Sequence, residues 1–113
     1  MVKQLIGIWD IQEMEDWDKD DLHMVGIPFI KITTYGSGRF QFSSYGGVFD
    51  GRVKGKGDTK QLVFKWKGGD GDHEESGIGW IHLKDKDTIA GELTFEYIPD
   101  TKFIAKRRKE IAQ

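Results

Sequence analysis

Apolar and polar residues alternate along most of this chain, and the alternation has a period of two. In "QLVFKWK", Leu62, Phe64 and Trp66 fall on one side and Val63, Lys65 and Lys67 on the other, the pattern of a half-buried strand. The same reading gives eight strands. The first runs from Gln4 to Glu13 and sets Leu5, Gly7, Trp9 and Ile11 on one face. "PFIKITTY" from Pro28 is the second, "RFQFSSY" the third and "GVFDGRV" the fourth, with "QLVFKWK" the fifth. "IGWIHLK" is the sixth, "TIAGELTFEY" the seventh and "TKFIAKR" the eighth. Short glycine-bearing or charged turns ("GSG", "KGKGDTK", "DKD") separate several of them, as between antiparallel strands. The polar segment "GGDGDHEESG" predicts a loop between the fifth and sixth strands.

One segment, "DWDKDDLHM", reads as a helix of one or two turns. Asp16 or Asp18 is its N-cap, acids fill its first turn, and Gly26 and Pro28 stop it. The expected fold is therefore all-β: an eight-stranded antiparallel up-and-down β-barrel with one short helix after strand 1. Closing the sheet removes its edges. A β-sandwich of the same strands is the alternative, and the tight sequential turns favour the barrel.

Composition narrows the picture. A chain of 113 residues suits one domain spanning residues 1–113. There are fifteen glycines, two prolines, seven Phe, four Trp and three Tyr, a mixture suited to turns and to a bulky strand core. No cysteine is present, so disulfides and thiolate metal sites are excluded. A net charge of −2 and a pI near 5.9 do not favour nucleic acid, and the basic cluster "KRRK" at 106–109 reads as a strand end running into a solvated tail. No run is apolar enough to span a membrane, and "MVKQLIGIW" is too short and too alternating for a signal peptide. The cytoplasm is the expected compartment.

The motif Gly7-Ile8-Trp9 on the first strand, with Arg107 on the last, resembles the Gly-x-Trp signature of lipocalins and the wider calycin superfamily. The resemblance implies that Trp9 closes one end of the barrel and that Arg107, with Arg108 in reserve, packs over its ring as a cation on an indole face. The chain is shorter than typical lipocalins and lacks their cysteines, C-terminal helix and Thr-Asp-Tyr loop. It is similar to short bacterial lipocalin-like proteins. Carriage of a small hydrophobic ligand is what the likeness implies.

An eight-stranded barrel is wide enough to be filled by side chains or to hold one small ligand. The expected inward set is Leu5, Trp9, Ile11, Ile30, Ile32, Phe40, Phe42, Phe49, Val53, Leu62, Phe64, Trp66, Ile81, Leu83, Ile89, Leu93, Phe95 and Phe103. Gly51, Gly77, Gly79 and Gly91 share those faces and either make room or let strands bend. Any pocket should lie at the end away from Trp9, with Trp17, Leu22 and Met24 over it as lid or plug. Asp50, His82 and Glu92 should face outward.

Chemistry is sparse. "DWDKDD" starts like a calcium loop, but Asp21 and Ile27 stand where glycine and glutamate are required. "DGDHEE" at 70–75 offers oxygens and His73 without the spacing of a known metal site. His23, His73 and His82 are the sole histidines for a haem, and none is well placed. No nucleophile elbow, phosphate loop or dinucleotide fingerprint occurs, so no catalytic residue, metal or cofactor is assigned. The reading reached is a non-enzymatic binding barrel for a small apolar or aromatic ligand, lined by Trp17, Phe40, Phe42, Phe64, Trp66 and Phe95. The alternative is a filled barrel acting as an interaction or inhibitor module through outward Tyr35, Tyr45 and Trp80, and a homodimer fits either.

Overall fold

The computed structural model describes residues 2–33, 36–57 and 60–109. A 3-10 turn over Val2–Leu5 leads into β1 (Gly7–Met14), followed by the short helix α1 (Lys19–Leu22) and β2 (Phe29–Ile32). Then come β3 (Ser37–Phe42), β4 (Tyr45–Lys54), β5 (Gln61–Asp70), β6 (His73–Asp85), β7 (Thr88–Leu93) and β8 (Thr101–Arg107). Each strand pairs antiparallel with its neighbours in sequence, and β1 pairs with β8 to close the barrel. An eight-stranded closed antiparallel barrel fits a calycin-like fold. No helix of the described residues is long and apolar enough to cross a membrane.

The interior is built by the alternation itself. On β5, Leu62, Phe64 and Trp66 are buried while Lys65 and Lys67 are exposed. All but two of the expected inward residues are buried; Val53 and Leu83 are partly buried and pack against the core. Several inward glycines, Gly47, Gly79 and Gly91 among them, are seats for rings. A methyl group on Gly79 would stand 2.5 Å from the Phe64 ring across the strand pair, and one on Gly47 would stand 2.6 Å from Phe40 and 2.8 Å from Trp66. A side chain missing from one strand is thus replaced by an aromatic ring from the next, so these glycines make room that is occupied.

Four expectations are corrected. The first strand does not begin at Gln4: residues 2–5 coil into the 3-10 turn and the strand starts at Gly7, whose φ of +136° breaks the extended run. The segment "GGDGDHEESG" is not a loop. It is the end of a long β5–β6 hairpin, paired out to Asp70 and His73 and turned by Gly71 (φ +59°) and Asp72. Tyr45 faces inward, because Ser43 (φ +52°) and Ser44 make the turn and Tyr45 falls opposite Phe42, on the same face of the pleat. Met24 is 62% exposed and is no part of a lid. A bulge in β1 between Ile11 and Glu13 also shifts the alternation so that Met14 joins the core. Tyr35 lies outside the described residues.

Candidate functional site

The two ends of the barrel differ. At one end Trp9 is wholly buried and its indole N–H donates to the Leu5 carbonyl at 2.9 Å. Arg107 lies over the indole, its guanidinium carbon 4.2 Å from the ring centroid. It donates to the carbonyls of Gln4 (2.9 Å), Ile6 (3.0 Å) and Lys86 (3.2 Å) and sits 3.6 Å from Asp87. A side chain at position 7 would meet the guanidinium at 3.2 Å, so Gly7 supplies both the backbone turn and the clearance. Arg108 points elsewhere, pairing with Asp10 at 2.6 Å.

The opposite end carries the aromatic residues. Met14, Glu15, Asp16 (φ +64°) and Trp17 form a tight turn that folds Trp17 back onto the barrel. Its half-buried ring meets Phe42 edge-on at 5.2 Å and Tyr45 at 5.9 Å. Phe95 touches Phe42 at 6.0 Å, Tyr45 at 6.0 Å and Trp66 at 5.2 Å, and Trp66 meets Phe40 at 5.1 Å. Five of the six sequence-assigned wall residues therefore form one ring cluster with Tyr45. Phe64 stands apart from it, stacked on Phe49 at 4.4 Å. Helix α1 covers part of this end. Asp18 caps it by accepting from the Asp21 N–H at 2.9 Å, and Ser43 N–H donates to the Leu22 carbonyl at 2.9 Å, seating buried Leu22. Beside α1 a groove of about 310 Å³ opens between Glu15, Asp16, Trp17, Tyr45, Ile98, Pro99 and Thr101.

A carboxylate in the segment expected to be a polar loop belongs to this end. Glu75 is buried on the inner face of β6, its side chain 0% exposed. Oε1 accepts the backbone N–H groups of Glu96 (2.7 Å) and Tyr97 (3.2 Å), which ties the β7–β8 connection to the hairpin. Among the described residues Oε2 has no hydrogen-bond partner, and His73 Nε2 lies 4.0 Å away, beyond hydrogen-bond reach. Burial raises the pKa of the Tyr45 phenol above its ordinary value, and the charges of Asp70 and Glu75 raise it further. The signal was present in the sequence: counting back from buried Ile81 by twos passes Gly79 and Gly77 and reaches Glu75.

Charge is divided between the ends. Of the four connections at the aromatic end, β1–β2 carries "EDWDKDD" (15–21), the β5–β6 hairpin tip "DGDHEE" (70–75) and β7–β8 Glu96 and Asp100, while the β3–β4 turn is uncharged. The end that holds Trp9 and Arg107 carries Lys54, Lys56 and Lys60, Lys84 and Lys86, and "KRRK" (106–109), against Asp85 and Asp87 in the β6–β7 turn region. A near-neutral chain is thereby folded into an acidic mouth and a basic base.

The histidines do not converge. His23 is exposed beside α1, His73 is exposed at the hairpin tip, and His82 stacks on Trp80 on the outer wall at 5.4 Å. Trp80 also donates to Glu92 at 3.2 Å. Among the described residues no group of three His, Asp or Glu side chains is placed to hold a metal ion. Compared with known proteins, the chain matches no family model, no curated protein and no solved structure.

Proposed function

We propose that the protein is a lipocalin-like binding barrel that takes a small apolar or aromatic molecule at the acidic end, in the groove beside Trp17 and Tyr45. The observation that carries this reading is the concentration of rings at that one end. Two of them, Trp17 and Tyr45, are half-buried and border the groove of about 310 Å³, a volume at the small end of the range for ligand sites. Phe42 and Phe95 lie directly beneath, Phe40 and Trp66 behind them, and Phe64 deepest. Binding is by desolvation: the ligand covers the exposed parts of Trp17 and Tyr45, and few polar anchors are needed.

Titration with the neutral fluorescent probe N-phenyl-1-naphthylamine tests this, together with native mass spectrometry for a co-purified molecule. The four tryptophans are built-in reporters, since they occupy the mouth, the interior, the closed end and the outer wall. Binding that shifts the Trp17 indole N–H resonance and leaves Trp80 unmoved supports the reading. Absence of binding, with a clean apo mass, favours a filled barrel acting through its outer surface.

A further inference from the structure

We propose that the ligand of this mouth carries a protonated amine and that Glu75 Oε2 receives it. The proposal rests on the ligand-binding reading above and names the chemistry of its ligand.

Three observations point the same way. The first is the orphaned oxygen. Glu75 is fully buried and faces into the barrel, and one oxygen is doubly satisfied by backbone donors; among the described residues the other has no hydrogen-bond donor, its one basic neighbour being the exposed His73 with Nε2 at 4.0 Å. A buried acceptor without a donor is costly, and a ligand N–H is what would complete it. The second is the setting. The Tyr45 ring borders the groove, and its phenol lies within the field of Glu75. Phe42, Phe95 and Trp17 surround Tyr45. Aromatic faces attract a cation as well as apolar surface, so this enclosure suits an ammonium on an apolar or aromatic body. The third is the long-range field. The acidic connections around the mouth draw cations toward it, and the lysines and arginines at the far base repel them from the other end. An anionic ligand meets the reverse: the basic side chains near this end, Lys19, Lys67, His73 and Lys102, are all exposed.

Glu75 is sealed from solvent, so a ring must move to admit the amine. Tyr45 is suited to this, being half-buried, bordering the groove and sitting next to a two-residue turn. Rotation of its ring would join the groove to the carboxylate. The ammonium then replaces no existing hydrogen bond of Glu75, and Oε1 keeps the Glu96 and Tyr97 N–H groups.

The test compares three probes of one shape at pH 7 and low salt: 2-phenylethylamine, 2-phenylethanol and 3-phenylpropionate. Affinity is read by calorimetry and location by amide and indole resonances of the full chain. The amine should bind at least about tenfold more tightly than the alcohol, as a charge-assisted hydrogen bond implies, and the acid most weakly. In E75Q the advantage of amine over alcohol should largely vanish while alcohol binding persists. The carboxyl carbon signal of Glu75 in the unaltered protein gives a readout independent of folding of the variant; it should move with the amine and stay with the alcohol. Equal binding of alcohol and amine, or a Glu75 signal indifferent to the amine, overturns the amine assignment and leaves the ligand-binding reading standing. If none of the three shifts Trp17 or Tyr45, the ligand-binding reading falls and this inference with it.

Discussion

The guanidinium of Arg107 lies 4.2 Å above the ring of Trp9 and simultaneously bonds the carbonyls of Gln4, Ile6 and Lys86. One side chain thus joins the 3-10 turn, the first strand, the β6–β7 turn and the last strand. Lysine carries the same charge but neither the planar face nor the fork of donors. R107K should lower unfolding stability by about 1–2 kcal/mol in urea, from lost cation–π contact and unmet carbonyls, and R107A by at least as much.

Gly7 is the counterpart of that contact. Its φ of +136° is strained for any L side chain, and an added methyl would stand 3.2 Å from the Arg107 guanidinium. G7A should therefore cost about 1–3 kcal/mol. In the R107A background the steric part disappears and the backbone part remains, so a double-mutant cycle should show a coupling between the two changes, read from denaturant midpoints.

The ring seats make a separate prediction. G79A forces a methyl against the Phe64 ring at 2.5 Å and should destabilise by about 1–3 kcal/mol through overpacking. F64A should cost about 3–5 kcal/mol if the ring is core. The combination G79A/F64L should be less damaging than the sum of its parts, because the smaller side chain yields the space that the methyl needs. Strict additivity in thermal melts would mean that the ring does not sit in the seat.

Tyr45 gives the pH dependence. Its phenol titrates above the ordinary value of 10.0 because burial, and then the charges of Asp70 and Glu75, disfavour the phenolate. In the unfolded chain that phenol ionises near its ordinary pKa, so above pH 10 the unfolded state binds fewer protons than the folded one. The contribution is fully present below about pH 10 and is lost as pH rises through the folded pKa. Absorbance at the phenolate band should show that the titration step removed by Y45F lies above the ordinary tyrosine range, and Y45F should flatten the alkaline loss of stability.

Much of the barrel was legible because period-two alternation is a direct image of a pleated strand with one buried face. β5 and β8 carry the clean pattern and were read to within a few residues. What failed was local. The two-residue turn at Ser43 and Ser44 resets the alternation and carries Tyr45 inward, and no residue there announces a left-handed serine. The bulge in β1 does the same for Met14. At the β5–β6 hairpin the tip is so rich in glycine and acid that composition outweighs periodicity, and a loop is expected where Glu75 lies on a strand. The glycines opposite aromatic rings were visible as glycines. That they are filled by Phe64, Phe40 and Trp66 depends on register between strands, which a single sequence does not display.

Closure of the barrel has a consequence for how the chain folds. Every pairing but one joins neighbours in sequence, and the exception, β1 with β8, ties Trp9 to Arg107 and Met14 to Phe103. The sequential hairpins need only short loop closures, whereas this last ladder must bring together segments nearly the whole chain apart, at a higher entropic cost. It should form late. Until it does, β1 and β8 are bare edges able to pair with another copy of the same strand. Substitutions that weaken the Arg107–Trp9 contact should therefore lower the yield of refolding at high protein concentration more than they lower the melting temperature.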